Sequence, residues 1–292
     1  MKKSIQNNLR GENSNYLLPF FWQHGEDEDV LREYMGVIEA SGIKAVCVES
    51  RPHPDFCGPK WWQDMDIILD EARKRGMKVW ILDDSHFPTG FANGAMEGKP
   101  DNLRRKGICY QSVTVNGNGK TQTISVDKFL KKSNRKASLM NAMASASNKG
   151  QTYPDDEFLS AVAYPADGRS EAPVSLTQYV EDGQIKWQAP KGKWLVCMTK
   201  LSQNCGAHPN YINMTVPESC RVLIDAVYEP HFEHYKDDFG KTIAGFFSDE
   251  PELGNSEPYA HDPLGTAQDL PWSGDISTGL QERLGENWTD LL

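Results

Sequence analysis

Short, unbroken apolar runs alternate with amphipathic stretches over residues 16–95. YLLPFFW (16–22), KAVCVES (44–50) and MKVWILDD (77–84) read as buried strands. DEDVLREYMGVIEASG (27–42) and KWWQDMDIILDEARKRG (60–76) read as the helices between them. Each helix closes on a glycine able to take the left-handed cap, and the second carries basic residues in its last turn, where they suit the macrodipole. Continuous apolar strands separated by helices predict a parallel sheet covered on both faces.

The rhythm changes between about 105 and 205. ICYQSVTVNGNG, FLSAVAYPADG and SLTQYVEDGQIKWQAPKGKWLVCMTKL are β-type runs punctuated by Asn-Gly and Asp-Gly turns. The polar stretch 131–151 between the first two predicts a long surface loop. VPESCRVLIDAVYEPHFEHYKDDFG (216–240) then reads as helical, with Pro217 in the first turn and a kink expected at Pro230. KTIAGFFS (241–248) is a fourth strand, and STGLQERLGENWTDLL begins a further helix. The expected organisation is therefore 1–104, a first part with three βα units; 105–205, an inserted β-rich, sandwich-like module; and 206–292, a continuation with strand four. The fold class this predicts is α/β, of the (β/α) TIM-barrel type with its active face at the strand carboxyl ends, represented by its first four units.

Composition narrows the chemistry. The chain has 31 Lys+Arg against 41 Asp+Glu, a formal net charge of −10, which argues against a nucleic-acid surface. No run approaches the ~18 apolar residues of a membrane helix, so no membrane partner is expected. The charged start MKKSIQNNLR leads into no apolar segment of signal-peptide type, and the six cysteines show no metal-type pairing. A reduced, cytoplasmic protein without a cofactor is the expectation.

All four strands end in ionisable or hydrogen-bonding side chains. The first ends in Trp22, Gln23 and His24; the second in Glu49, Ser50, Arg51, Pro52 and His53. The third ends in Asp83, Asp84, Ser85 and His86, and the fourth in Asp249, Glu250, Pro251 and Glu252. In a parallel sheet these ends lie on one side, which predicts a shared polar pocket. Acids, Arg, His and Trp together suit sugar binding, and glycosidic-bond hydrolysis needs two carboxyl groups. Plainer readings stand beside each assignment. Glu250 also fits a helix-terminal acid, and Asp83 and Asp84 also fit turn caps for FPTGFANG. Glu49 and Arg51 also fit a simple ion pair. Asp83, Asp84 and His86 also fit a divalent-cation site, though without diagnostic spacing.

FFSDEPELG, closing the fourth strand, resembles the Asn-Glu-Pro strand end of the retaining clan A glycosidases, whose Glu is the acid/base. Asp249 stands where that motif has Asn. The wider pattern is similar to bacterial glycoside hydrolases of the α-L-rhamnosidase type. It runs through SGIKAVCVESRPHP, ARKRGMKVWILDDSHFPTGFANG, DGQIKWQAPKGKW and IAGFFSDEPELG, across most of residues 16 to 255. The resemblance implies a glycosidase with Glu250 as general acid, or acid/base. His24, Glu49, Arg51, Asp83, Asp84, His86 and Asp249 would bind and orient a carbohydrate substrate. Such enzymes are longer, so the chain is expected to be the N-terminal part of a larger hydrolase, or a product truncated after the fourth unit; as a fragment it would be inactive alone, and a lone half-barrel would self-associate through open sheet edges. The rivals from other classes are a non-catalytic carbohydrate-binding protein and a metal-dependent hydrolase.

Overall fold

A computed structural model of the chain describes residues 3–10, 17–131, 156–203, 210–251, 253 and 269–291. The loop expected over 131–151 therefore lies outside the described residues, except for Lys131, and Glu252 lies outside them too. The fold is mixed α/β and divides into two units, Met1–Gly98 with Arg221–Glu252, and Lys99–Cys220 with Leu253–Leu292.

In the first unit, strands β1 (Phe20–Trp22), β2 (Ala45–Glu49), β3 (Lys78–Leu82) and β11 (Ile243–Phe247) form one parallel sheet, with spatial order β1-β2-β3-β11. Helix α1 (Lys3–Leu9) precedes β1, α2 (Glu28–Ala40) connects β1 to β2, and α3 (Pro59–Arg75) connects β2 to β3. Their apolar stripes bury Leu31 and Met35, and Trp61, Met65, Ile68, Leu69 and Ala72. Gly76 ends α3 at φ 64°, a left-handed position that costs glycine nothing. Arg32 ties the two helices together through Asp70 at 2.8 Å and Glu71 at 2.6 Å.

The two faces of this sheet differ. The ladder register and strand alternation place Phe21, Val48, Ile81 and Phe246 on the helix side. Contacts agree: Phe21 meets Tyr34 of α2, and Phe246 packs 4.2 Å from the Tyr228 ring. The opposite face carries Phe20, Trp22, Cys47, Glu49, Trp80, Leu82 and Phe247. A register shift between Ile243 and Gly245 inserts Ala244 as an extra residue. That bulge turns Gly245, Phe247 and Asp249 to the same face as Glu49, while Ile243 keeps its place on the helix side. Gly245 is needed there, because an added Cβ would sit 3.2 Å from the Trp80 ring at a φ of 155°.

Phe20 on the first strand and Phe247 on the last meet edge-to-face at 5.4 Å. In a flat sheet, strands three steps apart lie about 14 Å from one another and side chains stand upright. The sheet is therefore curled, with this face concave. Among the described residues, neither it nor either of the other two sheets closes into a barrel.

The helical stretch 216–240 breaks where expected, but not as a simple kink. Pro217–Leu223 is α-helical, Ile224–Tyr228 makes a wider π turn, and Glu229–Tyr235 resumes as α-helix. Pro230 offers no N–H to the preceding turn, and the widened turn accommodates that loss.

The second unit is built on a long antiparallel ladder of β4 (Gly107–Gly117) with β10 (Gly192–Ser202). β6 (Glu157–Pro165), β7 (Val174–Ser175) and β12 (Asp269–Pro271) complete that sheet in the order β12-β4-β10-β6-β7. A second sheet joins β5 (Thr121–Ser125), β8 (Val180–Glu181) and β9 (Gln184–Gln188). The β8–β9 hairpin turns on Asp182 and Gly183, both at positive φ, as a two-residue Asp-Gly turn requires. Its core gathers Val115, Ile185, Trp187, Trp194, Val196 and Met198 from strands of both sheets, with Trp187 and Trp194 edge-to-face at 5.1 Å.

Lys200 is fully buried in this unit. Its ammonium donates to the carbonyls of Phe129 and Leu130 at 2.9 and 3.2 Å, and lies 2.7 Å from Asp156. It thereby holds the end of helix α4 (Val126–Lys131). Lys200→Met is expected to cost about 2–3 kcal/mol, since carbonyls and a carboxylate lose a charged donor while Ser202 still serves Asp156. Urea denaturation followed by tryptophan fluorescence reads this directly; a change below about 0.5 kcal/mol would mean that the ammonium contributes nothing net.

Candidate functional site

The strand carboxyl ends of the first unit bring Glu49, Arg51 and Asp249 together. Glu49 is the last residue of β2 and is only 1% exposed. The Arg51 Nε is paired with Glu49 Oε1, and its Nη2 reaches Asp249 Oδ2 at 3.2 Å. Arg51 thus crosses the end of β3 to reach a residue 198 positions further along the chain. Its guanidinium also lies 5.4 Å from the Phe87 ring centre. Two carboxylates against one guanidinium leave the cluster net negative. Beneath it, burial and the nearby carboxylates of Glu49 and Asp249 push the Cys47 thiol up to about 12, so that sulfur stays protonated.

One oxygen of this cluster has no partner. Glu49 Oε2 is buried and accepts no hydrogen bond among the described residues. A buried acceptor left in that state costs about 1–3 kcal/mol unless a donor reaches it from outside the protein.

Asp83 and Asp84 sit at the end of β3 and are both fully buried. Asp84 accepts from four backbone N–H groups, those of Ser85 and Asn93 on Oδ1 and of Gly90 and Ala92 on Oδ2, at 2.7–2.9 Å. Its carboxylate is the hub of the loop 85–93, and it holds Ala92 and Asn93 in left-handed conformations. Asp83 accepts from Thr89 Oγ1 at 2.6 Å and from Tyr228 Oη at 2.5 Å. Thr89 in turn clamps the fourth strand end. Its N–H donates to the Asp249 carbonyl, and its hydroxyl accepts from the Asp249 N–H, each at 2.9 Å. The chain Tyr228–Asp83–Thr89–Asp249 fixes the backbone that carries Glu250.

Glu250 itself is exposed and has φ 44°. A non-glycine residue in the left-handed region pays a strain that the surrounding structure must hold, and such residues cluster at functional sites. His24 and His86 lie apart from the paired groups. His24 is exposed and paired with Glu26 at 2.6 Å, and His86 is exposed with its ring edge on Phe91 at 5.6 Å.

The loop bearing Arg51 is held from below. His53 is buried, accepts from the Asp55 N–H on Nδ1 at 3.0 Å and donates from Nε2 to Asp64 at 3.0 Å. Thr89 and Tyr228 carried no signal in the sequence. A hydroxyl in a loop and a tyrosine in a helix are common, and only the π turn aims Tyr228 at Asp83. Among the described residues no group of three His, Cys, Asp or Glu is placed to hold a metal ion, and no helix is long and apolar enough to cross a membrane.

Burial raises the Asp83 carboxyl above its ordinary range, opposed by hydrogen bonds from Thr89, Tyr228 and Ser248. A carboxyl raised on folding binds more protons in the native state, so its contribution lowers stability as pH rises from about 4 through the raised value. Asp83→Asn removes that ionisation. Relative to the native chain, the variant is expected to be more stable at pH 7 than it is at pH 4, as read from urea midpoints at both values. An equal difference at the two pH values would mean that Asp83 ionises without cost.

No protein-family model matches the chain, and a search of the curated proteins finds no match. Among solved structures, a rhamnosidase from Novosphingobium sp. PP1Y is similar at a TM-score of 0.46 and 12% identity, over 94% of this chain and 40% of that one. A pyruvate kinase from Cryptosporidium parvum is similar at a TM-score of 0.20 and 15% identity, over 67% of this chain and 33% of that one. The chain thus spans about two fifths of the rhamnosidase's length.

Proposed function

We propose that the first unit carries the sugar site of a glycoside hydrolase on a barrel-type arc of parallel strands. The observation that carries this reading is the Arg51-bridged pair of Glu49 and Asp249 on the concave face, with strained Glu250 following directly. Glu250 is the exposed acid that donates a proton to the glycosidic oxygen. Glu49, Arg51 and Asp249 hold sugar hydroxyls, and their net negative charge favours the oxocarbenium-like character that develops at the anomeric carbon. Asp83 and Asp84 act as positioning residues, through Thr89 and the loop 85–93. His24 and His86 lie at the rim, within reach of a longer glycoside.

The parallel order β1-β2-β3-β11 and the inward curl support a (β/α) TIM-barrel type for this sheet. A second reading, a carbohydrate-binding protein, is favoured by the fact that Arg51 neutralises part of the Glu49–Asp249 pair. Proton NMR of the chain mixed with a panel of aryl and methyl hexopyranosides separates the two. Release of free reducing sugar supports the hydrolase, whereas line broadening without turnover supports the binding protein. Spectra unchanged for every glycoside would overturn both.

A further inference from the structure

Trp22 is the Cα partner of Glu49 in the parallel ladder, so both side chains project from the same, concave face. Trp22 is 57% exposed and Phe20, two residues earlier on that face, is 50% exposed. Large aromatic rings open to solvent beside a buried carboxylate are an expensive combination for a surface with no ligand. The unpartnered Glu49 Oε2, buried at the foot of this aromatic surface, calls for a hydrogen-bond donor.

We infer that Trp22 is the platform on which one pyranose ring lies, its C–H face on the indole and a ring hydroxyl donating to Glu49 Oε2. This rests on the sugar-site reading and adds its substrate class. Aromatic faces take C–H groups and cations but repel anions, because the ring face is negative. Glu49 and Asp249 outnumber Arg51, so a third carboxylate, brought in by the ligand, finds no free cation in the cluster. The ring bound at Trp22 is therefore a neutral hexopyranose carrying at least one hydroxyl donor beside its apolar face. Hexuronates are rejected.

The test is isothermal titration of the whole chain with p-nitrophenyl hexopyranosides and the matching p-nitrophenyl hexuronides, repeated for Trp22→Ala, Trp22→Phe and Glu250→Gln. Trp22→Ala is expected to weaken binding of the neutral glycoside roughly tenfold, with an unchanged melting temperature because the ring is exposed, and Trp22→Phe should restore most of the loss. The hexuronide should show no measurable binding. Glu250→Gln should bind the neutral glycoside as the native chain does, which ties the Trp22 effect to the platform. Unchanged affinity in Trp22→Ala, or hexuronide bound as tightly as its neutral counterpart, overturns the platform while leaving the sugar site standing. If no pyranoside of either kind binds the native chain, the sugar site falls and the platform with it.

Discussion

Wherever the chain turns over a methyl hexopyranoside, alone or as part of a longer hydrolase, Glu250→Gln is expected to lower kcat by about 10²–10⁴, the contribution of a positioned general acid. The amide keeps the size and polarity of the side chain but cannot give up a proton to the departing oxygen. The substitution leaves Glu49, Arg51 and Asp249 untouched, so KM should hold within about twofold; a loss confined to kcat marks an interaction made in the transition state. Folding should hold as well, because the side chain is exposed and makes no ion pair among the described residues. What keeps the acid in place is backbone: the two hydrogen bonds between Thr89 and Asp249 hold the strand end, so that Glu250 takes its left-handed conformation. A variant that turns over at the native rate would remove Glu250 from the chemistry.

Arg51→Met has the largest expected effect on stability, about 3 kcal/mol. Arg51 is the cation that Glu49 and Asp249 share, and without it Glu49 is a carboxylate 1% exposed with both oxygens bare. Methionine replaces much of the side-chain length, so the cost arises from uncompensated charge rather than from a cavity. Adding Glu49→Gln to Arg51→Met removes the stranded charge and should recover at least half of the loss, a coupling that a double-mutant cycle reads out. Additive effects of the two substitutions would show that Glu49 and Arg51 do not act as a pair. The same loss should fall more steeply on activity, since Asp249 loses the contact that links its strand end to the end of β2.

The strands and helices of the first unit were legible because their hydrophobic periods are clean: AVCV (45–48) and VWIL (79–82) are unbroken apolar runs, and α3 buries Trp61, Met65, Ile68, Leu69 and Ala72 along one stripe. Asp182-Gly183 announced its hairpin for a chemical reason, the need for positive φ at both positions. The identity of Glu49, Arg51 and Asp249 as strand-end groups was legible too. Their meeting was not, because nothing in the spacing of residues 51 and 249 says that a guanidinium spans an intervening strand. Nor does the pattern IAGFFSDE reveal its bulge. Strict alternation would put Ile243 and Asp249 on one face, and only the extra Ala244 sends Ile243 to the helices and Asp249 to Glu49. The role of Asp84 was open between cap and ligand contact. Four backbone N–H groups closing on its carboxylate are a property of the folded loop that composition does not encode. Strand β12 is three residues long and pairs with β4, too short a stretch to carry a period of its own.

The most direct test of the account is the dependence of kcat/KM on leaving-group acidity, measured for the native chain and Glu250→Gln over a series of aryl and alkyl glycosides of one sugar. With Glu250 protonating the departing oxygen, the native chain gives a shallow dependence and the variant a steep one, the two converging at the most acidic phenol. Parallel slopes for the two proteins would contradict the assignment of Glu250 as proton donor.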